Sequence, residues 1–167
     1  HEGPYGQGVA THRVDYSPDL LAADALSFIE QHRSDPFFLY LAVTLPHANN
    51  EGGANGMEVP DLGAFANESW PKPEKRYAAI VTRLDEQVGR IVGKIKALGL
   101  DSDTLVFFTS DNGPHHEGGY NPDFFDSNGP LRGYKRDVYE GGIRVPFIAR
   151  WPGHVAAGTE SDQVAYL

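Results

Sequence analysis

The chain has 167 residues, of which 40% are hydrophobic and 22% are charged, a composition typical of a globular domain with its own core. Its formal charge of -9 argues against nucleic-acid binding, because neutralising phosphates requires a basic surface. The absence of cysteine excludes disulfides, thiolate metal ligands and a cysteine nucleophile within these residues. No apolar run approaches the roughly 20 residues of a membrane-spanning helix.

The two ends of the chain do not resemble the ends of a complete protein. The first residues lack the basic and apolar regions of a signal peptide, and residues 164–167 read as the start of another apolar segment. Both ends are therefore expected to be cuts through a longer protein, and the compartment of that protein is not indicated.

The first predicted element is a helix. Residues 1–16 are rich in glycine and polar residues and are expected to form a loop. Ser17 and Pro18 then predict a helix start, with the serine as N-cap and the proline at the first helical position. The helix is expected to end near Arg33, because Pro36 disfavours helical backbone at the residue before it.

The middle of the chain predicts a strand, a helix and a second strand. Residues 37–43 are continuously apolar, which suits a strand covered on both faces in a parallel sheet. Residues 48–73 form a long loop of the kind that is functional or disordered. An apolar stripe predicts a helix over residues 74–98 with Gly99 at its C′ position, and the strand 104–109 follows.

This order predicts a crossover connection between two parallel strands. Because the carboxyl ends of parallel strands meet at one edge of the sheet, His47 is expected to lie near Asp111 and Asn112. A further short strand is predicted over residues 145–150, at a sheet edge or starting at Pro146. The predicted fold class is α/β, a mainly parallel central sheet flanked by helices.

Two interpretations of Asp111 and Asn112 are open. Asp, Asn and Gly are turn residues for conformational reasons alone, so this pair together with Gly113 fits a simple turn. A carboxylate and an amide oxygen also suit a hard divalent cation better than zinc or copper, although two ligands are too few for a complete site.

A second group of candidate residues is basic or carries imidazole. His47 follows a predicted strand, and is either a loop residue or a proton donor to an anionic substrate. Arg132, Lys135 and Arg136 cluster in an acidic chain, as a solvated surface run or as an anion pocket. The neighbouring histidines His115 and His116 either line the same crevice or lie at the surface.

Taken together, several motifs resemble the sulfatase family, in particular arylsulfatase-like members of the alkaline-phosphatase-like superfamily. The resemblance covers nearly the whole chain. Its motifs are Pro36-Phe37-Phe38-Leu39-Tyr40-Leu41, Pro46-His47, Phe107-Phe108-Thr109-Ser110-Asp111-Asn112-Gly113-Pro114, Ser127-Asn128-Gly129-Pro130-Leu131-Arg132-Gly133-Tyr134-Lys135 and Tyr139-Glu140-Gly141-Gly142-Ile143-Arg144-Val145-Pro146.

The resemblance implies a sulfuric ester hydrolase that acts on a small-molecule or carbohydrate sulfate ester. It implies one divalent cation, usually calcium, held by Asp111 and Asn112 with two upstream acids. It implies that His47 and Lys135 contact the sulfate or the leaving oxygen, and it adds His115 and Arg132 as candidates for substrate binding. The family's nucleophile is a formylglycine made from Cys or Ser in a C/S-x-P-x-R motif.

That motif is absent from the chain, and no upstream acidic pair is identifiable. Residues 1–167 are therefore expected to be a middle-to-late part of the catalytic domain, with half of the metal and sulfate site and no activity alone. Two alternatives remain open. One is a phosphoesterase of the same superfamily, and the other is a non-catalytic anion-binding remnant.

Overall fold

A computed structural model describes residues 14–165. Residues 1–13, which belong to the predicted N-terminal loop, and residues 166–167 lie outside the described range. The main elements are α1 (Ser17–Gln31), α2 (Lys72–Ala97), β1 (Val106–Thr109), α3 (Glu140–Ile143) and β2 (Phe147–Arg150). Short 3-10 turns cover Asn50–Asn55, Gly63–Phe65 and Pro122–Phe125.

Helix α1 confirms the first predicted element but not its cap. Ser17 is the first helical residue, and the N-cap is Tyr16, whose side chain makes no capping hydrogen bond. Pro18 fits the first turn because the amide that it lacks would have no intrahelical partner there. The helix buries Ala22, Ala25 and Ile29.

Helix α2 confirms the strongest periodic signal in the sequence. It begins two residues before the predicted start and ends at Ala97, and Gly99 follows with a φ of +73°. This left-handed conformation favours glycine and ends the helix. The helix packs against α1, where the Arg83 guanidinium donates to both carboxylate oxygens of Asp19 at 2.7 and 2.5 Å.

The predicted parallel arrangement is not found. Within residues 14–165 the sheet has two strands, β1 and β2, which run antiparallel with Val106 opposite Arg150 and Thr109 opposite Phe147. Both strands lie within the predicted segments 104–109 and 145–150, so their positions were predicted correctly, whereas no pairing between these two segments was predicted. A strand prediction from composition does not specify the partner, which is set by contacts distant in sequence.

Residues 37–43, predicted as a doubly covered strand, pair with no strand in the described part of the chain. Their exposure alternates. Phe38 and Tyr40 are 88% and 81% exposed, whereas Phe37, Leu39 and Leu41 are half-buried. The apolar run therefore packs through one face only.

The core lies under the loops that follow residues 37–43 and β1. One buried cluster has five residues, four of which lie outside the helices and strands. The five are Leu45, Ala48, Met57, Ile80 and Tyr120. Of the helices described, none combines the length and apolar character required to cross a membrane.

Candidate functional site

The turn after β1 is held by the main chain of a distant loop. The amide of Gly113 donates to the carbonyl of Gly142 at 2.9 Å. A Cβ on Gly113 would overlap the carbonyl oxygen of Gly141, so this close approach requires glycine. The turn carrying Asp111 and Asn112 is thereby fixed against the start of α3.

The loop between residues 132 and 142 places Lys135 beside this turn. The Lys135 amide donates to the carbonyl of Pro114 at 2.7 Å, and the Gly141 amide donates to the carbonyl of Arg132 at 2.7 Å. Arg136 has a φ of +80°, a left-handed conformation that costs a non-glycine residue free energy. The backbone is strained next to the candidate lysine.

The His47 ring has a defined tautomer. Its Nδ1 lies 2.6 Å from the carbonyl oxygen of Ala48, and a carbonyl only accepts, so Nδ1 carries the proton. In the neutral ring Nε2 is then an acceptor, and the Lys135 ammonium donates to it at 2.8 Å. Residues 88 positions apart in the sequence thus form a direct side-chain contact.

His115 is buried beneath this pair, with 5% of its surface exposed. Its Nδ1 accepts from the Glu117 amide at 3.0 Å, and its Nε2 donates to the carbonyl of Pro46 at 3.3 Å. Burial is the main cause that lowers the pKa of His115. Both ring nitrogens are occupied by backbone groups, and the ring lies 6.1 Å from that of His47, so His115 supports the His47 loop from below.

Glu117 joins the basic residues of the site. One carboxylate oxygen accepts from the Arg136 guanidinium at 2.5 Å, and the other lies 3.5 Å from Lys135 Nζ and 3.5 Å from His47 Nε2. None of the sequence motifs singles out this residue. No local pattern distinguishes Glu117 from other loop acids, because its partners lie 18 or more positions away.

Asp111 and Asn112 offer oxygen ligands at the end of β1. The Asn112 amide nitrogen donates to the carbonyl of Gly113 at 2.9 Å, which leaves its side-chain oxygen as the ligand atom. Asp111 is exposed. These donors fit a hard cation such as calcium or magnesium. Across residues 14–165, however, no three His, Cys, Asp or Glu side chains are grouped as a metal site requires.

The structure brings some of the predicted residues together. His47 and Lys135 are in contact, and Lys135 is linked to the Asp111-Asn112 turn through Pro114. Arg132 is exposed, and its guanidinium lies over the ring of Tyr139 at 3.7 Å. The site is therefore centred on His47, Lys135 and Glu117.

The chain matches known proteins over most of its length. The family profile described as sulfatase matches residues 2–166. The N-acetylgalactosamine-6-sulfatase of Mus musculus is 39% identical over 155 residues, covering 89% of this chain and 26% of that protein. The N-acetylgalactosamine-6-O-sulfatase of Bacteroides thetaiotaomicron is 32% identical over 152 residues, which cover 82% of this chain and 26% of that protein.

Two solved structures also match most of the chain. The crystal structure of Ps i-CgsB in complex with k-i-k-neocarrahexaose matches with a TM-score of 0.71 and 33% identity, over 87% of this chain and 30% of that one. The PsFucS1 sulfatase from Pseudoalteromonas sp. matches with a TM-score of 0.61 and 27% identity, over 92% of this chain and 29% of that one. The chain spans about a quarter of the length of the curated relatives it matches.

Proposed function

The chain belongs to the sulfatase family, and from this premise we propose that the protein containing it hydrolyses sulfate esters, with His47 and Lys135 at the sulfate group. The observation that carries the proposal is the 2.8 Å hydrogen bond between Lys135 Nζ and His47 Nε2. It places a cation beside the imidazole of a side chain that is more than one-third exposed, a suitable pair for an anionic ester.

The donor count of Lys135 supports this role. An ammonium group has three N–H donors, and the nearest polar atoms among the described residues are His47 Nε2 and a Glu117 oxygen. One donor therefore remains for a sulfate oxygen of the bound ester, and the positive charge that Lys135 shares with His47 would stabilise negative charge that develops in the transition state. A proton on His47 Nε2 would pass to the oxygen of the departing alcohol.

A calcium ion fits the donor chemistry of Asp111 and Asn112, which would supply one carboxylate and one amide oxygen. When bound, the cation would neutralise charge on the sulfate oxygens. Two side chains form only part of a coordination shell, so the remaining ligands would come from outside the described residues.

The nucleophile is expected to be a formylglycine outside this chain, since these residues contain no cysteine and no Ser-x-Pro-x-Arg. The isolated segment is proposed to be inactive. The named substrates of the relatives support a carbohydrate sulfate ester as the substrate class.

The test uses the whole protein with 4-nitrophenyl sulfate and 4-nitrophenyl phosphate as paired substrates. The sulfate should be preferred, and Lys135→Ala should lower kcat/KM for it by about 100-fold or more, the usual cost of losing a charge-stabilising donor. Lys96→Ala removes an exposed lysine of α2 and should leave the rate unchanged. Preference for the phosphate would favour the phosphoesterase alternative, and a rate insensitive to Lys135→Ala would overturn the assigned role of the lysine.

The metal assignment has a readout that does not depend on activity. Calorimetric titration of the metal-free whole protein should show one calcium site that is weakened at least ~10-fold by Asp111→Asn. The matched control is Asp24→Asn, which changes an exposed acid on α1. Two bound zinc ions per protein would contradict the single oxygen-ligand site and support the phosphoesterase alternative.

A further inference from the structure

The Glu117 carboxylate is equally distant from the two nitrogens of the candidate pair, Lys135 Nζ and His47 Nε2. Its Oε2 atom is 3.5 Å from Lys135 Nζ and also 3.5 Å from His47 Nε2, and those two nitrogens are 2.8 Å apart. A negative charge at this point attracts a positive charge equally on either nitrogen. The Glu117 charge therefore stabilises one positive charge on the pair but does not determine whether Lys135 or His47 carries it.

The surroundings make this attraction effective. The side chains of Glu117 and Lys135 are only 12% and 15% exposed, so water screens the charges weakly. Arg136 occupies the other carboxylate oxygen at 2.5 Å. Desolvation raises the pKa of Glu117, but the hydrogen bond from Arg136 and the charges of Lys135, Arg136 and His47 outweigh it and hold the pKa below its ordinary value. Glu117 is ionised at neutral pH.

We propose that Glu117 is a positioning residue that keeps one positive charge on the Lys135–His47 pair, so that the pair can deliver a proton to the leaving oxygen. The inference rests on the proposed sulfatase function and names a residue that neither the motifs nor the resemblance identified. Glu117 acts through the two basic side chains and does not contact the ester itself.

The proposed transfer from Lys135 through His47 to the leaving oxygen moves one proton and conserves charge. An N–H bond of the Lys135 ammonium breaks as an N–H bond forms on His47 Nε2, which gives a neutral amine and an imidazolium with no change in total charge. The imidazolium then releases that proton to the leaving oxygen, which departs as an alcohol. Because Glu117 is equidistant from the two nitrogens, the first transfer does not move the positive charge away from its counter-charge.

Three ionisable side chains next to the Lys135–His47 pair are relevant to its charge. Glu117 favours the positive charge, whereas the Arg136 cation disfavours it and is offset by its own bond to Glu117. His115 lies under His47, and burial lowers its pKa, so it adds no charge near neutral pH. Loss of the Glu117 charge should therefore remove the attraction that favours a positive charge on the pair.

The test compares Glu117→Gln with wild type in the whole enzyme, using two sulfate esters that differ in leaving group. With a sugar sulfate, whose alkoxide needs a proton, kcat/KM should fall at least ~10-fold further than with 4-nitrophenyl sulfate, whose leaving group departs unprotonated. The alkaline limb of the kcat/KM profile should move down by roughly one pH unit. Glu30→Gln is the matched control, since Glu30 also pairs with two cations, Arg33 and Lys94, away from the site.

The outcomes separate the two proposals. No hydrolysis of any sulfate ester by the wild-type whole protein would refute the function itself. An active wild type whose Glu117→Gln variant loses rate equally on both esters, with an unmoved alkaline limb, would overturn the role of Glu117. If Glu117→Gln does not fold, the test uses Glu117→Asp. This variant keeps the negative charge but, because its side chain is shorter, moves the charge away from the two nitrogens. It should give a smaller shift in the same direction, and an unmoved limb would again overturn the proposal.

Discussion

Two regions of the molecule are held together by different means. The α1–α2 pair is stabilised by side chains, namely a buried apolar stripe and the Asp19–Arg83 contact. The interlocked loops, residues 111–114 and 132–142, are stabilised by main chain lying directly against main chain. The candidate site therefore depends on a few positions without a side chain, whereas the helix pair depends on the side chains that it buries.

The largest expected effect is on the free energy of unfolding, and it distinguishes the main-chain contacts of the loops from the side-chain packing of the helices. Gly141→Ala should destabilise the protein by about 3 kcal/mol, because its Cβ would overlap the Gly133 carbonyl oxygen and approach the Arg132 oxygen to 2.7 Å. In α2, a Cβ at Gly93 meets nothing within 4 Å, so Gly93→Ala should stabilise by about 0.5–1 kcal/mol. Denaturant unfolding measures both, and changes of the same sign in the two variants would contradict this difference between the loops and the helix pair.

The next effect concerns the buried support under the site. His115→Asn should cost about 2 kcal/mol, because the Glu117 amide and the Pro46 carbonyl lose a buried partner. His116→Asn changes the exposed neighbouring ring and should stay within about 0.5 kcal/mol. Thermal unfolding of the two variants side by side measures the difference, and equal losses would show that burial of His115 contributes nothing.

His115 also predicts a pH dependence. Its pKa is lowered in the folded protein, so above the ordinary value of 6.5 the ring is neutral in both states. As the pH falls below 6.5, the unfolded chain binds the proton first, and the free energy of unfolding declines until the lower folded pKa is reached. Unfolding between pH 7.5 and pH 5 should show a decline that is smaller in His115→Asn, and identical slopes in the two proteins would contradict it.

The smallest effect tests the helix pair. Asp19→Asn should cost about 1 kcal/mol, since the carboxylate and the guanidinium are both partly exposed and water screens their attraction. The Arg83 hydrogen bond is the main cause that lowers the Asp19 pKa, so this stability is present above the unfolded pKa and is lost as the pH falls through the folded value. Asp24→Asn on the exposed side of α1 is the control, and a similar loss there would remove the contrast.

The sequence predicted the positions of the helices and strands better than the pairing of the strands. Helical periodicity located α1 and α2 to within about two residues because a helix face repeats locally, and Gly99 ended α2 as expected. The pairing of β1 with β2 was not predicted, since composition around Phe107 and Phe147 carries no information about partner or direction. The antiparallel pair instead follows a connection of loops and one short helix.

The candidate site was predictable only in part. The motifs pointed to His47 and Lys135, and the structure places them in contact. The expected proximity of His47 to Asp111 rested on a shared edge of parallel strands, and the sheet found among the described residues contains no strand before His47. Glu117 was missed because it acts across the fold, through charges brought close by the interlocked loops.

The interlocked loops also have a consequence for how the molecule opens. The amides of Gly113, Lys135 and Gly141 all donate to carbonyls of other loop segments at 2.7–2.9 Å. Breaking one of these bonds requires separating two backbones that are already in van der Waals contact, so the three bonds should break in a single cooperative opening. These amide hydrogens should therefore exchange with solvent deuterium at one common slow rate, although none of them belongs to the sheet.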